Sequence, residues 1–215
     1  EPKDIASLMG LSDKLASLNF DRYQSWKASK TLSDDAKPSV LVFKGDVYQG
    51  LSADTFNTKQ LKFSQKHLRI LSGLYGILKP MDLIKPYRLE MGTKLVTDKG
   101  KNLYEFWGNA IQKNIINELD EQKSDLVINL ASKEYFSVIG KMPEYLNVVS
   151  PAFRDFKNGK YKIISFYAKR ARGLMARWII ENNIKDFERL SEFNVDGYYY
   201  SSKESSVNEP VFLRD

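Results

Sequence analysis

The stretch from 147 to 178 reads NVVSPAFRDFKNGKYKIISFYAKRARGLMARW and decides the fold. Asn158-Gly159 separates two extended runs, and this dipeptide suits a tight type I′ hairpin because both residues tolerate positive φ. The second run is rich in β-branched and aromatic residues, which favour strands. Apolar residues then recur at helical spacing, which predicts a helix from about Ala168 to Asn182.

Helical and strand patterns also alternate in the rest of the chain. Apolar spacing predicts helices, at Asp4–Leu18, Phe63–Leu74 and Leu103–Leu119, and short apolar runs predict strands, at Ser39–Phe43 and Asp125–Leu130. Two prolines make Lys79–Gly92 a loop with short extended pieces. These patterns predict an α+β fold, or α/β with a mixed sheet, in a single domain over 1–215.

The composition excludes several kinds of chemistry. The chain has 215 residues, no Cys and a single His. Without Cys there is no disulfide framework, iron–sulfur cluster or thiol nucleophile. One histidine cannot form a two-histidine metal site, and no Glu-x-x-His spacing occurs, so we expect no bound metal and no direct iron storage.

The positive charge is concentrated in one segment. The window from 154 to 177 holds eight basic residues and one acid, while the whole chain carries +6, so the remainder is close to neutral. A concentrated positive field attracts phosphates. A solvated Lys/Arg face is the alternative, and from charge alone the two interpretations are about equally favoured. Cations near a helix start oppose the helix dipole, which favours an anion-binding role for Arg170 and Arg172.

Two glycines mark a second candidate site. Leu71-Ser72-Gly73-Leu74-Tyr75-Gly76 has the spacing of a helix–hairpin–helix turn, in which backbone N–H groups approach a nucleic-acid phosphate. The same glycines also fit a helix C-cap. His67, beside Lys66 on the preceding helix, is interpreted as a surface or phosphate-facing residue.

Polar residues near predicted strand ends form a third candidate site. Arg88 and Glu90 lie in the proline-containing loop, Lys44 and Asp46 follow the first strand, and Glu134 follows Asp125–Leu130. A carboxylate among these residues has the chemistry of a general acid or base. A structural salt-bridge cluster is the alternative. The candidate catalytic residues are Asp46, Arg88, Glu90 and Glu134.

Five strings closely resemble the bacterial YaaA family. They are FKGDVYQGL (43–51), HLRILSGLYGILKPMDLIKPYRLEMGTKL (67–95), NLYEFWG (102–108), VINLASKEYF (127–136) and KIISFYAKRARGLMARWIIEN (162–182). The resemblance implies a peroxide-stress protein with a helix–hairpin–helix element and a positively charged cleft. It also implies DNA binding without strong sequence preference, with some preference for distorted or partly single-stranded DNA, and a link to limiting intracellular iron. Family members begin with a strand and a Ser-Pro-Ala-Lys motif that this chain lacks, so we expect an N-terminal truncation.

Carried onto this chain, the resemblance and the basic window give one set of expected DNA-binding residues: Lys66, His67, Gly73, Gly76, Lys160, Lys162, Lys169, Arg170, Arg172 and Arg177. We expect a cytoplasmic protein, with a monomer favoured over an oligomer. We expect DNA as its partner, no membrane association and no cofactor.

The alternative function is an enzyme that acts on a phosphorylated or nucleotide-like small molecule. Arg88, Lys169 and Arg172 would bind the anion, and a carboxylate would transfer the proton. Convergence of Lys44, Asp46, Arg88 and Glu134 on one pocket would favour this alternative.

Overall fold

Helices and strands interleave along the chain, and the predicted α+β class is confirmed. The structure is a computed structural model that describes residues 1–28, 31–33 and 35–215. The helices are α1 (Pro2–Met9), α2 (Asp13–Gln24), α3 (Ser39–Val42), α4 (Asp46–Leu51), α5 (Thr58–His67), α6 (Leu103–Trp107), α7 (Ala110–Gln122), α8 (Lys133–Phe136) and α9 (Ser165–Glu181). The strands are β1 (Lys37–Pro38), β2 (Ile70–Ser72), β3 (Gly76–Leu78), β4 (Leu83–Ile84), β5 (Leu126–Ile128), β6 (Asn147–Val149), β7 (Ala152–Lys157), β8 (Lys160–Lys162), β9 (Tyr199–Tyr200) and β10 (Val211–Arg214).

The largest sheet is mixed, as expected, and has the strand order β8-β7-β10-β9. Strand β10 is parallel to β7 and antiparallel to β9, while β7 and β8 form an antiparallel hairpin. Elsewhere in the described chain β1 pairs with β4 and β2 with β3, both antiparallel, and β5 pairs with β6 in parallel.

The chain divides into two compact units. The first comprises Glu1–Val42, Leu68–Ile115 and Ser132–Gly140. The second comprises Phe43–His67, Ile116–Ala131 and Lys141–Asp215, and it contains the whole basic window. The single domain over 1–215 stays a prediction.

The core of the second unit lies between α9 and the mixed sheet. Ala171 and Met175 of α9 are buried with Phe153 of β7 and Phe212 of β10. The Phe153 ring stacks on the Phe212 ring, with centroids 5.5 Å apart. Full burial of a large apolar side chain contributes about 1.5–3 kcal/mol, so this cluster fixes α9 on the sheet.

Two glycines allow α4 to pack directly on the backbone of α9. A Cβ atom on Gly173 would lie 1.9 Å from the Val47 carbonyl oxygen, and one on Gly50 would lie 2.3 Å from the Arg170 carbonyl oxygen. Real Cβ atoms do not approach backbone atoms so closely. The two helices therefore cross at a distance that only glycine permits.

The predicted strand Ser39–Phe43 is wrong. Ser39–Val42 forms the single turn α3, and only Lys37–Pro38 is extended. The Ser39 N–H donates to the Asp82 carbonyl and the Ser39 hydroxyl to the Lys79 carbonyl, 2.8 and 2.9 Å away. A short apolar run does not distinguish a buried strand from a buried helical turn, and these distant contacts select the turn.

The predicted helix Leu103–Leu119 is interrupted. Helix α6 ends at Trp107, and Gly108 has a φ of 47° that a regular helix does not contain. Helix α7 then begins at Ala110. The apolar spacing continued across the break, so periodicity alone did not reveal it.

The predicted helix Phe63–Leu74 and the helix–hairpin–helix element are also wrong, because α5 ends at His67 and a β-hairpin follows. Strands β2 and β3 pair in the register Ile70↔Leu78. A Cβ on Gly73 would lie 2.5 Å from the Leu89 carbonyl oxygen, and one on Gly76 would lie 2.8 Å from the Trp107 ring. Gly76 also has a φ of 73°. These glycines therefore serve close packing and a turn inside the first unit.

Candidate nucleic-acid interface

The hairpin around Asn158-Gly159 is confirmed. Both residues have positive φ, 56° and 78°, as a type I′ turn requires. The register places Lys157 directly opposite Lys160 at the last pair before the turn. Like charges that face each other across two strands are destabilising, so this pair has no evident structural benefit.

Helix α9 is confirmed but begins at Ser165, three residues earlier than predicted. Its first turn contains no acidic residue. Lys169 and Arg170 lie in the second turn, and both are exposed. Their position opposes the dipole only weakly, because the dipole effect is confined to the first turn.

Five cations of the window form neither a salt bridge nor a side-chain hydrogen bond within the described residues. They are Lys157, Lys160, Lys162, Lys169 and Arg170. Lys162 is half-buried and the other four are exposed. We call these five residues the basic surface.

The other basic residues of the window have structural partners. Arg154 forms salt bridges to Glu204 and Glu209, at 3.1 and 3.3 Å. Arg172 is half-buried, and its Nε donates to the Ala168 carbonyl 3.2 Å away. Burial lowers the pKa of the Arg172 guanidinium, because loss of water disfavours the charged form.

The Arg177 side chain caps the C-terminal end of α4. Its Nη1 donates to the carbonyl oxygens of Leu51 and Ser52 and to the Thr55 hydroxyl, at 3.2, 3.1 and 2.8 Å. Its Nη2 lies 2.7 Å from a carboxylate oxygen of Glu181. The last carbonyl groups of a helix have no hydrogen-bond donor within the helix, and the Arg177 guanidinium donates to them instead.

Replacing Arg177 by Met is expected to reduce stability by about 1–2 kcal/mol, because two carbonyl oxygens and Glu181 lose a charged donor. DNA affinity is expected to stay within about twofold of the unmodified chain. Urea unfolding and a DNA-binding titration on the same preparation measure the two effects. A large loss of affinity at unchanged stability would instead place Arg177 among the DNA-contacting residues.

Lys66 and His67 lie at the end of α5 in the second unit, and both are exposed. The His67 ring packs on Phe63 with centroids 4.3 Å apart. The Lys66 carbonyl accepts a hydrogen bond from Gln122 at 3.2 Å. Basic residues in the last turn of a helix are favourable to its dipole, so both residues have a local structural explanation.

Gly73 and Gly76 are buried in the first unit. Trp107 donates its indole N–H to the Gly73 carbonyl at 3.0 Å, and the Ser72 hydroxyl accepts from the Tyr75 N–H at 2.9 Å. This turn is therefore held by side chains of its own unit. A DNA contact through these glycines stays a prediction.

Three of the four candidate catalytic residues, Arg88, Glu90 and Glu134, have local partners. In the first unit, Arg88 forms a salt bridge to Glu90 at 3.1 Å, and Glu134 accepts from the Gly92 N–H at 2.8 Å. Burial raises the pKa of Tyr135, and the nearby Glu134 and Glu90 carboxylates raise it further. Asp46 begins α4 in the second unit, where an acid is favourable to the helix dipole.

Sequence reasoning did not select Lys157 as a site residue. The signal was present, because a two-residue turn at Asn158-Gly159 places the flanking residues 157 and 160 opposite each other. The exposed aromatic side chains next to the basic surface were also not assigned a role: Phe156, Phe166 and Tyr167 are 50%, 53% and 43% exposed.

These features define a mixed α/β protein with a basic hairpin and helix on its second unit. The chain belongs to the YaaA family: the family model described as peroxide stress protein YaaA matches residues 1–204. The resemblance inferred from the five strings is thereby confirmed.

The chain is similar to several proteins named UPF0246. It is 54% identical to the one from Shewanella halifaxensis and 53% identical to the one from Shewanella oneidensis, covering 100% of this chain and 83% of each relative. It is 52% identical to the one from Polynucleobacter necessarius, over 99% of this chain and 82% of that relative.

The described residues contain neither a membrane-spanning helix nor a cluster of metal ligands. No helix among them has the length and apolarity needed to cross a membrane. In the same residues, no group of three or more His, Asp or Glu side chains is arranged to hold a metal ion.

Proposed function

We propose that this peroxide-stress family member binds DNA through the basic surface, with little dependence on sequence. The observation that carries the proposal is the uncompensated charge of Lys157, Lys160, Lys162, Lys169 and Arg170. Lysine and arginine contacts to phosphates fix position on DNA but do not read bases. Binding of this kind releases counterions and is therefore strongly dependent on salt.

The facing pair Lys157 and Lys160 supports the same function. Folding places these two lysines directly opposite each other in the strand register, at a cost that an acidic side chain at either position would have removed. A bound phosphate removes the repulsion in the same way. The pair is therefore more stable in a complex with a polyanion than in the free protein.

The test is a double variant, Lys169→Ala/Arg170→Ala, titrated against a 20-base-pair duplex at several salt concentrations. Loss of two phosphate contacts is expected to reduce affinity about tenfold or more at 0.1 M salt. The slope of log affinity against log salt is expected to become shallower by about 1.8, since each contact contributes about 0.9. Duplexes of unrelated sequence are expected to lose affinity equally.

The matched control is Lys185→Ala/Lys203→Ala, which removes the same charge from the same unit. Both lysines are exposed, Lys185 beyond the C-terminal end of α9 and Lys203 in the segment between β9 and β10. The control is expected to bind within about twofold of the unmodified chain. Equal losses in the two double variants would show a general charge effect and would contradict a localised interface.

The enzyme alternative stays a prediction. Lys44 and Asp46 belong to the second unit, whereas Arg88 and Glu134 belong to the first, and the latter two are engaged in local bonds. A cytoplasmic location and an influence on intracellular iron likewise stay predictions, which binding measurements do not address.

A further inference from the structure

The turn of the β7–β8 hairpin contains the one Asn-Gly dipeptide of the chain, Asn158-Gly159. Both residues are exposed, and a Cβ atom on Gly159 would have no heavy atom within 4 Å. Strand β8 has only three residues and lies at the edge of the mixed sheet. Short exposed edge elements open locally at a low cost in free energy, so this turn opens more readily than the core of the second unit.

An asparagine that is followed by glycine has the chemistry to modify itself. The Gly159 backbone nitrogen loses its proton and attacks the side-chain carbonyl carbon Cγ of Asn158. The amide nitrogen of Asn158 takes up a proton and leaves as ammonia, so that a five-membered succinimide remains. Water then opens the ring at either of its two carbonyl carbons, which gives aspartate or isoaspartate. A side chain on the following residue obstructs the attack, and glycine has none.

The charges that flank the dipeptide favour this reaction. Lys157 and Lys160 pair directly at the last position before the turn, and neither has an acidic partner among the described residues. Loss of the Gly159 amide proton creates a negative charge, which nearby ammonium groups stabilise. The carboxylate of the product offsets the repulsion between the two lysines. Both the reactive form and the product are therefore favoured at this turn.

Asn183 provides an internal comparison in the same unit. It is exposed, and its φ of 49° is close to the 56° of Asn158. The residue after it is Ile184, which is buried, and the Ile184 N–H donates to the Ile179 carbonyl 3.0 Å away. This nitrogen is engaged and carries a branched neighbour, so it is a poor nucleophile. The following residue, rather than exposure or backbone conformation, distinguishes Asn158.

We propose that Asn158 is a self-modification site, which deamidates through a succinimide and places a negative charge next to Lys157 and Lys160. Each conversion lowers the net charge of the hairpin by one. The isoaspartate product also adds a methylene group to the main chain, so the two-residue turn no longer matches the strand register. Water is the only co-reactant, and the loss of ammonia makes the conversion irreversible.

The consequence for DNA binding rests on the proposed function, because the two hairpin lysines belong to the basic surface. An aspartate beside them offsets about one phosphate contact. Affinity for a duplex is therefore expected to fall about threefold at 0.1 M salt, and the slope of log affinity against log salt to become shallower by about 0.9.

The experiment ages the unsubstituted chain in mildly alkaline buffer and follows Asn158 and Asn183 by peptide mass spectrometry, with an isoaspartate-specific methyltransferase as a second readout. Conversion at Asn158 is expected to be at least about tenfold faster than at Asn183, a difference of about 1.4 kcal/mol in the barrier. Lys157→Gln/Lys160→Gln is expected to slow conversion about threefold, because two stabilising charges are lost. Asn158→Gly keeps a residue that tolerates positive φ and is expected to leave the hairpin unmodified.

The aged unsubstituted chain and the aged Asn158→Gly chain are then titrated against the same duplex. Weaker binding by the unsubstituted chain alone is the expected result. Equal conversion at Asn158 and Asn183, or no conversion at either, would overturn the modification site. Equal affinities of the two aged chains would show that the modification does not act on DNA binding. Absence of binding by the fresh chain would overturn the proposed function, whereas the mass-spectrometric result would stand.

Discussion

A Gly173→Ala variant is expected to lose about 3 kcal/mol of unfolding free energy, because its new methyl group meets backbone rather than a movable side chain. The ideal Cβ position is 1.9 Å from the Val47 carbonyl oxygen and 2.9 Å from the Leu51 nitrogen. Overpacking a well-packed contact costs about 1–3 kcal/mol, and the upper end applies where both partners are main chain. Urea unfolding followed by circular dichroism measures the loss.

Gly50→Ala tests the same crossing from the other helix, since its Cβ would lie 2.3 Å from the Arg170 carbonyl oxygen. Gly45→Ala is the control: it adds the same methyl group one residue before α4, with no heavy atom within 4 Å. Alanine is a poorer N-cap than glycine, so the control is expected to cost at most about 1 kcal/mol. Equal costs at Gly173 and Gly45 would contradict a contact that only glycine permits.

The crossing of α4 and α9 also bears on the basic surface. Lys169 and Arg170 lie one turn before Gly173 on α9, and the Arg170 carbonyl is itself part of the contact with Gly50. A shift of α9 that relieved the clash would displace both cations relative to the hairpin. We therefore expect any folded Gly173 variant to bind DNA more weakly than its charge would indicate.

The hairpin and α9 were predictable because their causes are local. Asn158-Gly159 adopts positive φ with no help from distant residues, and the apolar spacing of α9 matches a sheet that covers one face. Ser39–Val42 was not predictable in this way. Its helical turn depends on hydrogen bonds to Lys79 and Asp82, about forty residues away, which no periodicity contains.

The glycines show the same division between local and distant causes. Gly73 and Gly76 fitted a helix–hairpin–helix turn as well as a C-cap, and their spacing contained nothing to exclude either. The Leu89 backbone and the Trp107 ring decide the outcome, because they leave no room for a Cβ atom. A close approach between distant segments is invisible in the sequence, whereas the positive φ of Gly159 follows from its turn.

The sequence predicts the positive charge of the candidate site but not which of its cations form salt bridges. The window from 154 to 177 was recognised from its composition, and the Arg177–Glu181 pair has the i,i+4 spacing of a helical salt bridge. Arg154 gave no such signal, because its partners Glu204 and Glu209 lie 50 and 55 residues away in sequence. Only the fold separates the cations that form structural contacts from those that remain without a partner.

Arg214→Met is expected to cost about 3 kcal/mol, because it leaves a buried carboxylate without its cation. Arg214 places Nε and Nη2 at 2.7 and 2.6 Å from Asp155, whose side chain is only 7% exposed. The Arg214 guanidinium also lies 4.5 Å from the Tyr198 ring. Breaking a buried ion pair by removing one partner costs about 3–5 kcal/mol, and the 20% exposure of Arg214 favours the lower figure.

The double variant Asp155→Asn/Arg214→Met separates the burial of an unpaired charge from the loss of packing. The introduced amide would keep an oxygen for the Tyr198 hydroxyl, which donates to the Asp155 carboxylate at 3.0 Å, but would need no cation. The double variant is therefore expected to be more stable than Arg214→Met alone by about 1–2 kcal/mol, although it carries one more substitution.

Urea unfolding of both single variants and of the double variant measures the coupling energy between Asp155 and Arg214. Purely additive losses would assign the cost to packing of Arg214 against Tyr198. A positive coupling would assign the cost to the ion pair between Asp155 and Arg214, which face each other in the register of β7 and β10.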